Sequence, residues 1–240
     1  MSAIAAAVLL SLAAGDAPTQ VQLDALRNAS VAELIARGRA SLAGLGSYRI
    51  QSTIAERIKG KMQEPRTLQM WVREQPFAVR VEYIAGPAKG RKILYDSRTR
   101  PGEVRARESG FLGLAGALWI GVHSSLAFGD TNHAITDVGL GSVLRLQADD
   151  QQKAKPFGGY TRTDQGLNER GRYCIQYDAP AGATGLYASR SLICIDPATA
   201  LPLEVTDWDQ KGLLERFLFH DLEPPAAEGP DVFTRQAAGL

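Results

Sequence analysis

A chain of 240 residues fills one large domain or two small ones, and its 45% hydrophobic content supplies a sizeable core, which excludes a globally disordered protein. With Lys+Arg 27 against Asp+Glu 26 the formal net charge is +1, so the basic excess of a phosphate-backbone binder is missing and no nucleic-acid partner is expected. Two cysteines and three histidines leave few ligands for a metal centre, no enzyme signature is present, and neither a metal nor a cofactor is expected.

Ala3 to Ala14 form an apolar run too short to span a bilayer and close to the length of a signal-peptide core, with small residues at Ala13, Ala14, Gly15 and Ala17 as cleavage positions. Residues 1–17 are therefore expected to be an export signal, although no Lys or Arg precedes the run and an N-terminal core helix is the alternative. No later segment is long and apolar enough for a transmembrane helix. Residues 18–47 form an N-terminal helical segment. Within it Ser30 and Glu33 make a capping box, and Val31, Leu34, Ile35, Leu42 and Leu45 recur at helical spacing.

From Tyr48 the apolar period changes to two. Tyr48, Ile50, Ile54 and Ile58 mark one strand, Leu68, Met70 and Val72 the next, and Phe77, Val79, Val81 and Tyr83 a third. Their hairpin spacing predicts an antiparallel meander. Gly86–Gly90 followed by Arg91 and Lys92 lacks the helix and the G-K-[ST] step of a phosphate cradle and is expected to be a hairpin turn. Phe111 to Val122 is expected to be a buried, bulged strand, and Thr136 or Asp137 the cap of a second helix with Val138, Leu140, Val143, Leu144 and Leu146 inward. Further strands are expected around Tyr173–Tyr177, Leu192–Ile195, Leu201–Trp208 and Leu213–Asp221. The fold class is α+β, with residues 48–225 a single sheet domain and 226–240 a C-terminal tail.

Arg73-Glu74-Gln75-Pro76-Phe77 followed by Gly90-Arg91-Lys92-Ile93-Leu94-Tyr95, together with His133-Ala134-Ile135-Thr136 and Gly139-Leu140, resembles domain-of-unknown-function family 1571; alanine stands where that family's step usually has proline. Ile195-Asp196-Pro197-Ala198-Thr199-Ala200-Leu201-Pro202 resembles a turn of exported lipoprotein-carrier (LolA-like) proteins. The resemblance implies a strongly curved antiparallel sheet, a half-barrel, with helices covering its concave face and an acyl-chain cavity between them.

Cys174 and Cys194 flank a hairpin centred near residue 184, so they face each other across two strands. A disulfide there, worth about 3 kcal/mol, suits an oxidising compartment; two free thiols in the cytosol are the alternative. His123, His133 and His220 lack metal-ligand spacing, and His133 is expected to order the loop ahead of the second helix. A hydrolytic set of Ser124 or Ser125 with His133 and Asp137 lacks a positioning motif.

The expected function is that of a non-enzymatic periplasmic or secreted protein holding a lipid-like or other apolar ligand, with an envelope protein as a further possible partner. The expected lining is the apolar faces named above, extended by Phe217 and Phe219. A structural envelope domain with a self-filled cavity is the alternative, and a hydrolase of the His133 region the third reading.

Overall fold

The computed structural model describes residues 17–125, 127, 129–224 and 231–240; the apolar N-terminal run lies outside them. The chain opens with α1 (Gln20–Asn28) and α2 (Val31–Leu45), each started by a capping box, Thr19 with Gln22 and Ser30 with Glu33. Periodicity does not reveal α1, because Leu26 is its one buried side chain.

The strands are β1 (Ser47–Ile58), β2 (Lys61–Met62), β3 (Arg66–Arg73), β4 (Ala78–Ala85), β5 (Lys92–Asp96), β6 (Glu103–Arg107) and β7 (Leu118–Gly121). After α3 (Leu140–Ala154) come β8 (Thr161–Leu167), β9 (Tyr173–Asp178), β10 (Arg190–Ile195), β11 (Pro202–Asp209) and β12 (Gly212–Glu223). They form one open antiparallel sheet in the order β7-β6-β5-β4-β3-β1-β12-β11-β10-β9-β8, with β2 paired to β1 alone. The first and last long strands thus meet at its centre, Ser52 opposite Phe219 and Ile54 opposite Phe217. The hairpin expected at Gly86–Gly90 joins β4 to β5.

Alternation buries the even positions of β1 and β3 and the odd positions of β4, as the period of two requires. Tyr48, Ile50, Met70, Val72, Val79 and Val81 join Ile35 and Leu42 of α2 and Leu140 and Leu144 of α3 in the main core. A second core gathers Leu26 and Leu34 against Tyr173, Ile175, Tyr177, Ile193 and Ile195. At Gly38 α2 passes so close that a Cβ would lie 2.9 Å from the Ala200 carbonyl and 3.0 Å from Leu144, so only glycine permits this crossing. The Asp196 turn supplies that contact. Its Oδ1 accepts from the Ala198 and Thr199 amides and the Thr199 hydroxyl, while Ser41 of α2 donates to the Thr199 carbonyl at 2.8 Å.

Two expectations are corrected. The run from Phe111 is not a buried strand: Gly110–Ala115 form a 3-10 turn with Phe111 86% and Leu114 79% exposed, and only Leu118–Gly121 pair with β6. Gly110 and Gly116, both at positive φ, bend the chain out of extended geometry. Nor do Thr136 or Asp137 cap α3. Both lie in a short 3-10 turn, Ile135–Asp137, and α3 begins after Gly139 without a cap from its own segment. Its first amides are met from the sheet instead: Leu140 N–H donates to the Tyr48 hydroxyl at 2.8 Å and Gly141 N–H to Glu74 Oε1 at 3.3 Å.

Cys174 of β9 and Cys194 of β10 are directly paired, with Cα atoms 3.9 Å apart, and are joined by a disulfide. Near the C-terminus α4 (Arg235–Ala238) lies beside β5, and Arg73 stacks on Phe233 with its guanidinium 4.8 Å from the ring centre.

Candidate binding cavity

A cavity of about 190 Å³ opens among β1, β3–β6, β10–β12 and α3. Its wall is mainly aliphatic and aromatic. Of the residues expected to line a groove, Ile54, Leu68, Met70, Val81, Tyr83, Phe217 and Phe219 do so. Tyr48, Ile50, Val72 and Val79 share their faces but are filled over by α2 and α3 in the main core; Phe77 packs on Tyr95, and Ile58 is buried beyond the cavity end. The period of two identifies a face. It does not tell a filled stretch of that face from a hollow one.

Beside the cavity runs a chain of buried polar groups. Glu56, 1% exposed, interrupts the apolar even face of β1. It pairs with Arg66 and accepts from the Thr131 hydroxyl at 3.0 Å and the Asn132 amide at 2.8 Å, and Arg66 donates in turn to the Asp130 carbonyl at 2.8 Å. One carboxylate thus fastens the loop leading to α3, and it is satisfied by charge and hydrogen bonds as a buried ion requires.

Glu215, in phase with Phe217 and Phe219 on β12 and 2% exposed, lies 3.0 Å from His133 Nε2 and accepts from the Tyr187 hydroxyl at 2.5 Å. Burial opposes charge on His133, but the bond to Glu215 and its negative charge outweigh burial and raise the imidazole above its ordinary value. His133 also packs edge-on against Phe217 with ring centres 5.4 Å apart. It therefore ties the loop to the sheet, the ordering role expected of it.

Next to Glu215 in the cross-strand register stands Asp207 of β11, 6% exposed and on the cavity wall. Burial pushes its carboxyl up to about 7, against a lowering bond from Ser191, and its Oδ1 has no hydrogen-bond partner.

Among the described residues, Glu56, His133 and Glu215 form a group whose ligand atoms lie within 4.8 Å of one another, the right residue types for a divalent cation. Sequence spacing hid it, since the three come from β1, a loop and β12. Each member is already engaged by protein partners. The hydrolytic set is not assembled: Asp137 pairs with Arg145, His133 with Glu215, and among the described residues no hydrogen bond joins Ser124 or Ser125 to His133. At the other end, Arg91 bridges Glu108 at 3.0 Å and Asp130 at 2.5 Å and lies over Tyr83.

Among solved structures, an uncharacterized conserved protein from Thermus thermophilus is similar at 13% identity and TM-score 0.48, covering 88% of this chain and 94% of that one. The lipoprotein LppX of Mycobacterium tuberculosis is similar at 14% identity and TM-score 0.46, covering 82% and 96%. A LolA superfamily protein from Nitrosomonas europaea is similar at 9% identity and TM-score 0.40, covering 87% and 99%. No curated protein matches the sequence. Residues 45–233 match the family described as Protein of unknown function (DUF1571), and the chain belongs to that family.

Proposed function

We propose that this protein is a non-enzymatic binder of a lipid-like apolar ligand in an oxidising compartment outside the cytoplasm. The sheet curls as a half-barrel with α2 and α3 over its concave face, and the ligand lies between them. The observation that carries the reading is the cavity of about 190 Å³ walled by Ile54, Leu68, Met70, Val81, Phe217 and Phe219. A concave wall of aliphatic and aromatic side chains gains when an apolar group covers it, so it suits an apolar occupant. Met70 is a flexible, polarizable lining side chain. At about 0.8 kcal/mol per buried CH₂, ten methylenes reach micromolar affinity. The disulfide and the apolar N-terminal run support export.

Titration of the folded chain with the neutral fluorophore N-phenyl-1-naphthylamine tests this. Saturable enhancement, lost on filling the cavity with Met70→Trp, is expected. No saturable binding by the folded native protein would leave a structural envelope domain.

A further inference from the structure

The ionisable side chains around the cavity are matched in pairs, with one exception. Arg66 is balanced by Glu56, Arg91 by Glu108 and Asp130, Asp137 by Arg145, Asp150 by Lys153 and His133 by Glu215. Asp207 is the one carboxylate, among the described residues, with a buried oxygen that accepts nothing. A buried, unsatisfied acceptor costs roughly 1–3 kcal/mol and calls for a donor.

We propose that the Asp207 end of the cavity receives the ammonium head of a cationic amphiphile whose apolar chain lies against Leu68, Met70 and Val81. This rests on the ligand-binding reading above and adds the chemical class of the head group.

Three observations support it. The negative charges of Glu215 and Asp150 both bear on Asp207, against His133, which Glu215 already holds, while Lys153 is taken up by Asp150, so this end favours an incoming positive charge and repels a carboxylate. Tyr160 and Tyr187 belong to the same end. After burial, the largest influences raising their hydroxyls are Asp150 and then Asp207 for Tyr160, and Glu215 and then Asp207 for Tyr187. Their rings and that of Tyr177 line the cavity there, the aromatic surroundings that ammonium groups prefer. The charges of Arg66 and Arg91 are each balanced by their own carboxylates, and the Nε of Arg66 remains open, which suits a neutral ester or ether oxygen better than a free carboxylate. Burial raises the Asp207 carboxyl, and an arriving ammonium favours its ionised form. Tyr187, 39% exposed, is held by its hydroxyl to Glu215 and by its backbone N–H to Asp150 at this end.

The experiment is displacement of N-phenyl-1-naphthylamine from the full chain by dodecylamine, dodecanoate and dodecanol, each below its micellar concentration. Dodecylamine is expected to act at a concentration about tenfold lower than dodecanoate, with the preference falling to within about twofold in Asp207→Asn. Dodecanoate acting as well as the amine, or an amine preference that survives in the folded variant, overturns the proposal. Should Asp207→Asn not fold, Asp150→Asn is expected to lower the preference at least about threefold; an unchanged preference overturns it equally. Failure of the fluorophore to bind removes the cavity reading and this one together. Fluorophore binding without amine preference removes only the head-group assignment.

Discussion

A Cβ on Gly141 would stand 2.1 Å from Oε2 of Glu74, so the second residue of α3 has to be glycine for the carboxylate of Glu74 to reach the helix start. Glu74 also accepts from the Tyr48 hydroxyl at 2.8 Å, and both serve as the cap that the segment before α3 does not supply. Alanine at 141 gains up to about 1 kcal/mol of helix propensity, whereas displacing a carboxylate from two hydrogen bonds loses roughly 1.5–3 kcal/mol for each bond to a charged group. Gly141→Ala is therefore expected to destabilise the protein by about 2 kcal/mol or more in urea unfolding, and Glu74→Gln, which keeps a neutral acceptor oxygen, by less. A more stable Gly141→Ala variant would show that Glu74 is not the cap.

His133 and Glu215 are expected to be energetically coupled. Removing the imidazole strands a carboxylate that is 2% exposed, so His133→Ala should cost about 2–4 kcal/mol, and Glu215→Gln should recover part of that loss in the double variant. Additive losses in the double-mutant cycle would rule the pair out as a unit. Stoichiometric zinc in purified native protein, absent from His133→Ala, would reassign Glu56, His133 and Glu215 to a metal.

Acid should weaken the end of the sheet where Arg73 of β3 reaches across β4 to Asp96 of β5. Burial disfavours charge on Asp96, but hydrogen bonds from Arg98 and the Arg73 guanidinium at 3.1 Å outweigh it and hold the carboxyl below its usual range. A folded value below the unfolded one means that stability is present above the ordinary pKa of about 4 and is lost as pH falls through the depressed value. Asp96→Asn should cost about 1–2 kcal/mol at neutral pH and less in acid, as pH falls through the depressed value. Urea midpoints at neutral and acid pH decide, and an equal cost at both would contradict the ion pair.

Reduction of the Cys174–Cys194 bridge, or Cys194→Ser with Cys174→Ser, should lower stability by about 3 kcal/mol for a loop of this size. In protein from its native compartment, alkylation without reductant should add no mass. Two added alkyl groups would place the chain in a reducing environment.

The period of two on β1, β3 and β4 made the sheet readable, and the hairpin centred near residue 184 made the disulfide pairing readable. What escaped had physical reasons. α1 buries little, and its one legible signal is the Thr19–Gln22 spacing of a capping box. Phe111 and Leu114 break the rule that an apolar run is buried, because glycines turn the backbone before it can pair. Most of the polar wall carried a visible mark: Glu56 falls between Ile54 and Ile58 and Glu215 falls in step with Phe217, each a charge on an apolar face. Asp207 carried the same mark, in phase with Leu203 and Val205 on β11, whereas Tyr187 carried none, since its role depends on a hairpin loop folding back.

The place of β12 between β1 and β11 governs how this molecule comes into being. Strands β3 to β7 follow one another as near neighbours, and so do β8 to β11, so each half has local partners soon after it emerges. One edge of β1 finds β3 nearby, but the other waits for a strand some 160 residues downstream, since Ser52 meets Phe219 and Ile54 meets Phe217. Closing that long loop is entropically costly and slow, and until it closes both halves present unpaired edges. A chain crossing a membrane before it folds would pass through in this open form. The last strand to arrive then seals the middle of the sheet and, with Glu215, Phe217 and Phe219, completes the cavity wall.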